Sequence, residues 1–365
     1  MSREIITGFL FFILFTTGYT QTAKYSNEFL SIGVGARGLG MSGAVTASTD
    51  NAEAAYWNPA GLASMKGERE LAVMHSEYFA GIAKYDYITI AARIDNTSAG
   101  SLSMIRFGVD DIPDTSELID SEGNINYNKV KSFSAADYAF LFSYAKKAKT
   151  PGLQFGGSAK IVRRTAGDFA GSWGFGLDFG MRYETGNWIL AAMGQDITTT
   201  FNAWSYDLTD QMKEVFTITG NDIPVSSVEI TTPTLILAGA RKIDFSPKWQ
   251  LITELNLDVS TDGKRNVPIK TDIASIDPRI GLELGFNRFI FLRAGIANIQ
   301  QEKTISGSTE TTFQPNIGLG LNIKDRFFID YAFTDLGDNS MALYSNVFSL
   351  RLMFNRQKNN TSDND

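Results

Sequence analysis

The stretch Asn346-Val347-Phe348-Ser349-Leu350-Arg351-Leu352-Met353-Phe354 alternates strictly. Successive side chains of an extended strand point to opposite faces, so Phe348, Leu350, Leu352 and Phe354 share one face and Val347, Ser349, Arg351 and Met353 the other. An apolar stripe backed by a face that carries an arginine suits a wall between lipid and water. The same period of two recurs from Leu71 onward. Trp173, Phe175, Leu177, Phe179, Met181 and Tyr183 oppose Gly174, Gly176, Asp178, Gly180 and Arg182. Residues 249–258, 279–286 and 317–323 repeat it.

About fourteen segments read this way, an even number as single-chain bacterial barrels have. They are 71–79, 84–93, 100–107, 138–146, 153–163, 173–183, 187–195, 234–242, 248–259, 279–287, 289–297, 314–323, 326–334 and 346–354. Most have the roughly nine to eleven residues that a tilted strand needs to cross a bilayer. The expected fold class is therefore all-β, a transmembrane antiparallel β-barrel of about fourteen strands over residues 71–354.

The connections test this independently. With both termini in the periplasm, the links there are 94–99, 147–152, 184–186, 243–247, 287–288 and 324–325, short and rich in turn residues. The outer links are 80–83, 108–137, 164–172, 196–233, 260–278, 298–313 and 335–345, mostly longer and polar. A soluble sandwich gives no reason for such asymmetry, whereas a barrel does. Links 108–137 and 196–233 exceed ordinary connections and are candidates for surface contacts. Trp173, Trp188, Trp249, Tyr144, Tyr183, Phe327 and Phe354 cluster near strand ends, where interfacial girdles place aromatics.

Composition narrows the remainder. A helical membrane protein needs apolar runs of about 20 residues. Only Ile5 to Thr17 comes near, and its layout is that of a secretory signal peptide over residues 1–20, cut near Thr20 or Gln21. The absence of Cys excludes disulfides and thiolate metal sites. A pI near 5.0 argues against nucleic acid as a partner. The polar tail 355–365 is expected to be disordered.

Residues 21–70 do not alternate and are rich in Gly and Ala. Gly33, Gly35 and Gly38 match G-x-G-x-x-G, but a dinucleotide fold needs a strand before and a helix after, which this context lacks. No cofactor is expected. Small residues here suit a chain threading a crowded lumen.

The stretches 29–44 (Phe29 to Ala44, with Gly33, Gly35, Arg37, Gly38 and Gly40) and 50–63 (with Asn58-Pro59-Ala60-Gly61) resemble the N-terminus of the PorV/PorQ family. These are outer-membrane proteins of the Bacteroidetes related to the FadL fatty-acid transporters. The resemblance implies a fourteen-stranded barrel with an N-terminal hatch in its lumen. It also implies a part in type IX secretion, with secretion proteins and cargo bearing C-terminal sorting domains as partners, beside outer-membrane lipids. The kinship with FadL implies instead a channel for hydrophobic small molecules.

Alternation turns a set of charges inward: Lys160, Asp178, Arg182, Glu254, Asp258, Arg279, Glu283, Asp330 and Arg351. Burying them without partners is costly, so they are expected to pair with one another or with the hatch. His75, the single histidine, shares a face with Glu77, but Ser76 points away, which argues against catalysis. Residues 120–126 superficially match a calcium loop but misplace its Gly and lack its final Glu. Two functions compete: docking or shuttling of secreted proteins, and passage of hydrophobic small molecules. The second predicts an opening in the barrel wall near the hatch.

Overall fold

The computed structural model describes residues 26–115, 118, 124–303, 308–334, 336 and 345–355. The signal-peptide stretch, most of 120–126 and the tail beyond 355 lie outside the described residues.

One sheet holds every strand described. Its first seven strands are β1 (Arg69–Tyr78), β2 (Ala83–Arg93), β3 (Ser98–Asp114), β4 (Lys131–Lys147), β5 (Leu153–Ala166), β6 (Ala170–Thr185) and β7 (Trp188–Gln195). Next come β8 (Thr200–Tyr206), β9 (Ser227–Thr231), β10 (Thr234–Ser246), β11 (Trp249–Ser260) and β12 (Ile269–Lys270). The last five are β13 (Ser275–Phe286), β14 (Ile290–Lys303), β15 (Thr309–Ile323), β16 (Phe327–Thr334) and β17 (Ser345–Phe354). Neighbours pair antiparallel, and β1 pairs with β17 from Arg69↔Phe354 to Glu77↔Asn346, which closes the ring. β8 prolongs the line of β7, β9 that of β10, and β12 is a short edge on β13. The wall is thus a closed barrel of fourteen strands.

Tight turns join the strands at one end. Asn287 and Arg288 both have positive φ, as do Lys324 and Asp325. That is the geometry of the two-residue hairpin whose twist matches a strand pair. At the other end the structure corrects the reading of the long links. β3 runs on to Asp114 and β4 begins at Lys131, so strand pairing continues well into the expected loop 108–137. Link 196–233 contains β8, a helix at Asp210–Ile218 and β9. At the projecting ends of β3 and β4 both faces are partly exposed, so the ladder persists while the hydrophobic alternation that reveals it fades.

The two faces of the wall sort as alternation requires. Trp173, Phe179, Ile280, Leu282, Ile317, Leu319 and Phe348 are exposed on the outside. Asp178, Arg182, Glu254, Glu283, Asp330 and Ser349 are buried on the inside. Trp188, Trp249 and Phe327 stand exposed at the first residues of β7, β11 and β16, and Phe354 at the last of β17, forming an aromatic rim at the tight-turn end.

The segment 26–68 packs within this wall. Short helices form at Ala36–Gly40 and Ala54–Trp57, with 3-10 turns at Glu28–Leu30 and Pro59–Ser64. Asn58 explains the start of the last turn. Its side-chain oxygen accepts the Ala60 N–H at 3.1 Å, and Pro59 fills the first helical position, where a missing N–H costs nothing. The wall makes room with glycine: a Cβ at Gly156 would strike Pro59 and Ala60, and one at Gly295 would strike Met41. Apolar contacts fill one side of the lumen, where Val34, Met41, Tyr56 and Trp57 meet Met74, Tyr85, Ile105, Leu141 and Val162.

Candidate functional site

The structure divides the residues singled out in the sequence into two groups. The first ties the internal segment to the wall. Arg37 donates to Glu283 at 2.9 and 3.3 Å and to Ser48 at 3.2 Å. Glu254 accepts the N–H groups of Ala47 at 2.7 Å and Ser48 at 3.0 Å. Arg182 donates to the Ala47 carbonyl at 2.9 Å, to Ser64 at 3.1 Å and to Glu184 at 3.0 Å. Asn58 donates to the Met181 carbonyl at 3.2 Å. Arg351 lies over the Phe328 ring and 3.5 Å from Glu70, which also accepts the Ala52 N–H at 3.0 Å.

The glycines of this segment serve packing. A Cβ on Gly33 or Gly38 would meet the Trp57 ring, one on Gly35 the Glu53 carboxylate, and one on Gly40 the backbone of Gly318. One on Gly61 would meet the Thr49 carbonyl. The Trp57 indole N–H donates to the Val34 carbonyl at 3.0 Å and fixes the ring there.

Arg293 and Glu70 were not expected. Arg293 joins Glu283 and Asp330, each at 2.6 Å, and so links the Arg37 contact to a wider chain of charges. The signal was present, because Ile290, Leu292 and Ile296 face lipid and place Arg293 inside. Phe291 on the same face as Arg293 obscured it. Glu70 precedes the point at which alternation becomes clear.

The second group, Lys160, Asp178, Asp258 and Arg279, lines a cavity of about 200 Å3 beside residues 26–31. Asp258 pairs with Arg279. Lys160 pairs with Asp178 at 2.9 Å and with Asp196 at 2.5 Å. Asp277 and Arg279 also border a second cavity of about 480 Å3 that reaches Tyr78 and Asn316.

Asp196 marks a break in the wall. β6 pairs with β7 at Phe179↔Gly194 but with β8 at Phe175↔Phe201. The step between these pairs is longer on the second strand, and the surplus residues bulge out of the ladder. The other neighbour slips too, since Gln195 faces Thr234 but Thr200 faces Thr231. Asp196 and Thr199 take positive φ of 53° and 60°. Three contacts hold the bulge: the Asp196 N–H donates to Asp178 at 2.8 Å, the Ile197 N–H to the Leu177 carbonyl at 2.9 Å, and Lys160 binds both aspartates. Ser26 and Asn27 reach the same place, where the Asn202 amide donates to both at 2.7 and 2.8 Å.

Outside the lumen, an apolar pocket of about 370 Å3 lies between the projecting ends of β3 and β4 and the helix Asp210–Ile218. Phe133, Phe169, Leu208, Met212 and Phe216 line it. His75 is far from catalytic company. It sits on the outer face, half exposed, with Nδ1 2.7 Å from Asp86.

The sequence matches no known family model and no curated protein. The fold does have solved relatives. The CymD monoaromatic hydrocarbon channel superposes with a TM-score of 0.56 at 14% identity, over 89% of this chain and 98% of that one. The toluene transporter TbuX of Ralstonia pickettii gives 0.54 at 14% identity, over 88% and 98%. A Pseudomonas aeruginosa FadL homologue gives 0.53 at 11% identity, over 88% and 98%. This chain therefore has the FadL-like barrel fold.

Proposed function

We propose that the protein is a conduit in the outer membrane of a Gram-negative bacterium for a small molecule with an apolar part. The observation that carries this reading is the ladder break at 196–199, which stands directly beside the lumenal cavity. A barrel that only presented a surface would gain nothing from interrupting its own wall, where each lost pairing leaves backbone groups to satisfy. The outer apolar pocket adds a place for a ligand to be captured from water. The solved relatives named as hydrocarbon channels and toluene transporters support the same reading. Docking of secreted cargo, implied by the resemblance of residues 29–63, is not what the solved relatives named above are described as doing, and it takes second place.

The test is uptake of a labelled toluene-sized probe into vesicles carrying the purified protein. The comparison is a variant with residues 197–199 deleted, which restores a continuous register with β6. The expected result is a loss of roughly tenfold or more, about 1.4 kcal/mol of barrier. Unchanged uptake by the deletion variant would sink the conduit reading.

A further inference from the structure

The lining of the lumenal cavity has a charge pattern that restricts what it can hold. It carries six carboxylates against three basic groups. Each basic group is already engaged. Lys160 serves Asp178 and Asp196, Arg265 holds Asp262 at 2.6 Å, and Arg279 holds Asp258. Glu28 and Asp277 are left over; Glu28 is exposed, whereas Asp277 borders both this cavity and the second one.

Its position is unfavourable by itself. Asp258 and Asp277 stand directly opposite each other on β11 and β13, both facing the lumen. Like charges directly opposite across two strands repel. Each keeps a buried oxygen, Oδ1, that no hydrogen bond reaches. Buried carboxylate oxygens find a donor, from protein or water, in nearly all folded proteins, so two adjacent oxygens at one cavity without a protein donor leave room for a donor from outside the chain. Among the described residues no three acidic or histidine side chains converge as a metal ion would need. The remaining wall includes Leu30, Tyr56, Leu141, Ile230 and Val267, which suit an organic body.

We infer that the cavity takes molecules in which a positively charged amine or ammonium group is joined to a small apolar body. The cationic group sits against Asp277 and the free oxygen of Asp258, and the apolar body rests on Leu30, Tyr56 and Ile230. This rests on the conduit reading and gives it a substrate class. An uncharged hydrocarbon leaves both carboxylates as they were, and an anion adds repulsion.

Three probes of one shape and different charge test it: benzylamine, benzyl alcohol and benzoate. Binding is measured by equilibrium dialysis of the full-length protein in a nonionic detergent, with protein-free micelles as the blank. The expected order is amine over alcohol over benzoate, with at least about a tenfold gap between the first two. Asp277→Asn should remove that gap, and Asp277→Glu should keep it. Heat-modified gel migration shows that both variants form the barrel. Equal binding of the three probes, or a preference for benzoate, overturns the inference and leaves the conduit standing. A preference that survives Asp277→Asn overturns the assignment to this site. If none of the three binds, both the inference and the conduit reading fall.

Discussion

Arg293 shows how charge is handled at the level of one residue. Its guanidinium is almost wholly enclosed and shared between Glu283 and Asp330. Removing one partner of a buried pair strands the others, at about 3–5 kcal/mol. Arg293→Met should therefore lower the unfolding free energy by about that amount in urea titrations in lipid vesicles, and Arg293→Lys by less. Glu53 behaves differently, because it lies in the internal segment with its carboxylate pressed against Gly35. Burial pushes its carboxyl up to about 7, with Asp330 adding to the rise and Arg351 and Arg37 opposing it. The folded state then holds a proton that the unfolded chain releases above about 4.5. Protection of residues 33–57 from hydrogen exchange should fall as pH rises from about 4.5 to about 7, by on the order of 3 kcal/mol. Glu53→Gln should flatten that dependence. Neither effect could be foreseen from residue type alone. Arg293 was hidden by Phe291 on its own face, and Glu53 sits in a stretch without a period, where no face can be assigned.

At the level of the element, the strands were legible and the internal segment was not. Alternation with lipid on one side and packed side chains on the other writes a period of two into the sequence, so all fourteen wall strands could be read. Residues 33–63 are buried on every side, which erases any period, and only Asn58-Pro59 announced a local turn by its capping chemistry. β8 and β9 escaped for a different reason: they are short, and their inner faces carry polar residues such as Thr200, Asn202, Glu229 and Thr231, which blurs the contrast. The break between β7 and β8 is held by Lys160 through Asp178 and Asp196. The chain lacks Cys, so a single cysteine placed at Ile197 reports on this bulge without background. Lys160→Met should speed modification of that cysteine by a membrane-soluble maleimide several-fold, and Lys160→Arg should stay near the parent rate. Equal rates in all three would show that the ion pairs do not set the bulge.

For the whole molecule, the outer face must match its solvent. Leu319 lies on the lipid-facing stripe of β15, and Phe327 at the tight-turn rim. Leu319→Arg should cost about 2–4 kcal/mol in vesicle unfolding, and Phe327→Arg about 0–1, since the cost of a charge falls toward the interface. Equal costs would contradict the placement of the bilayer. The closed ring was foreseen from the even strand count and the alternation of short and long links. The course of the internal segment depends on contacts between residues hundreds apart in the chain, which spacing along the sequence cannot reveal.

The seam between β1 and β17 has a consequence for the order of assembly. The first wall strand finds its second neighbour only in the last, and Ala36 donates its N–H to Ser349 at 3.0 Å. The internal segment therefore rests against the strand that shuts the ring, and nothing made earlier in synthesis can finish the wall alone. Such non-local pairing is slow and leaves an open sheet edge exposed in the meantime. The chain is thus committed to travelling unfinished until its own C-terminal strand arrives, and a truncation there would cost the whole molecule its closure.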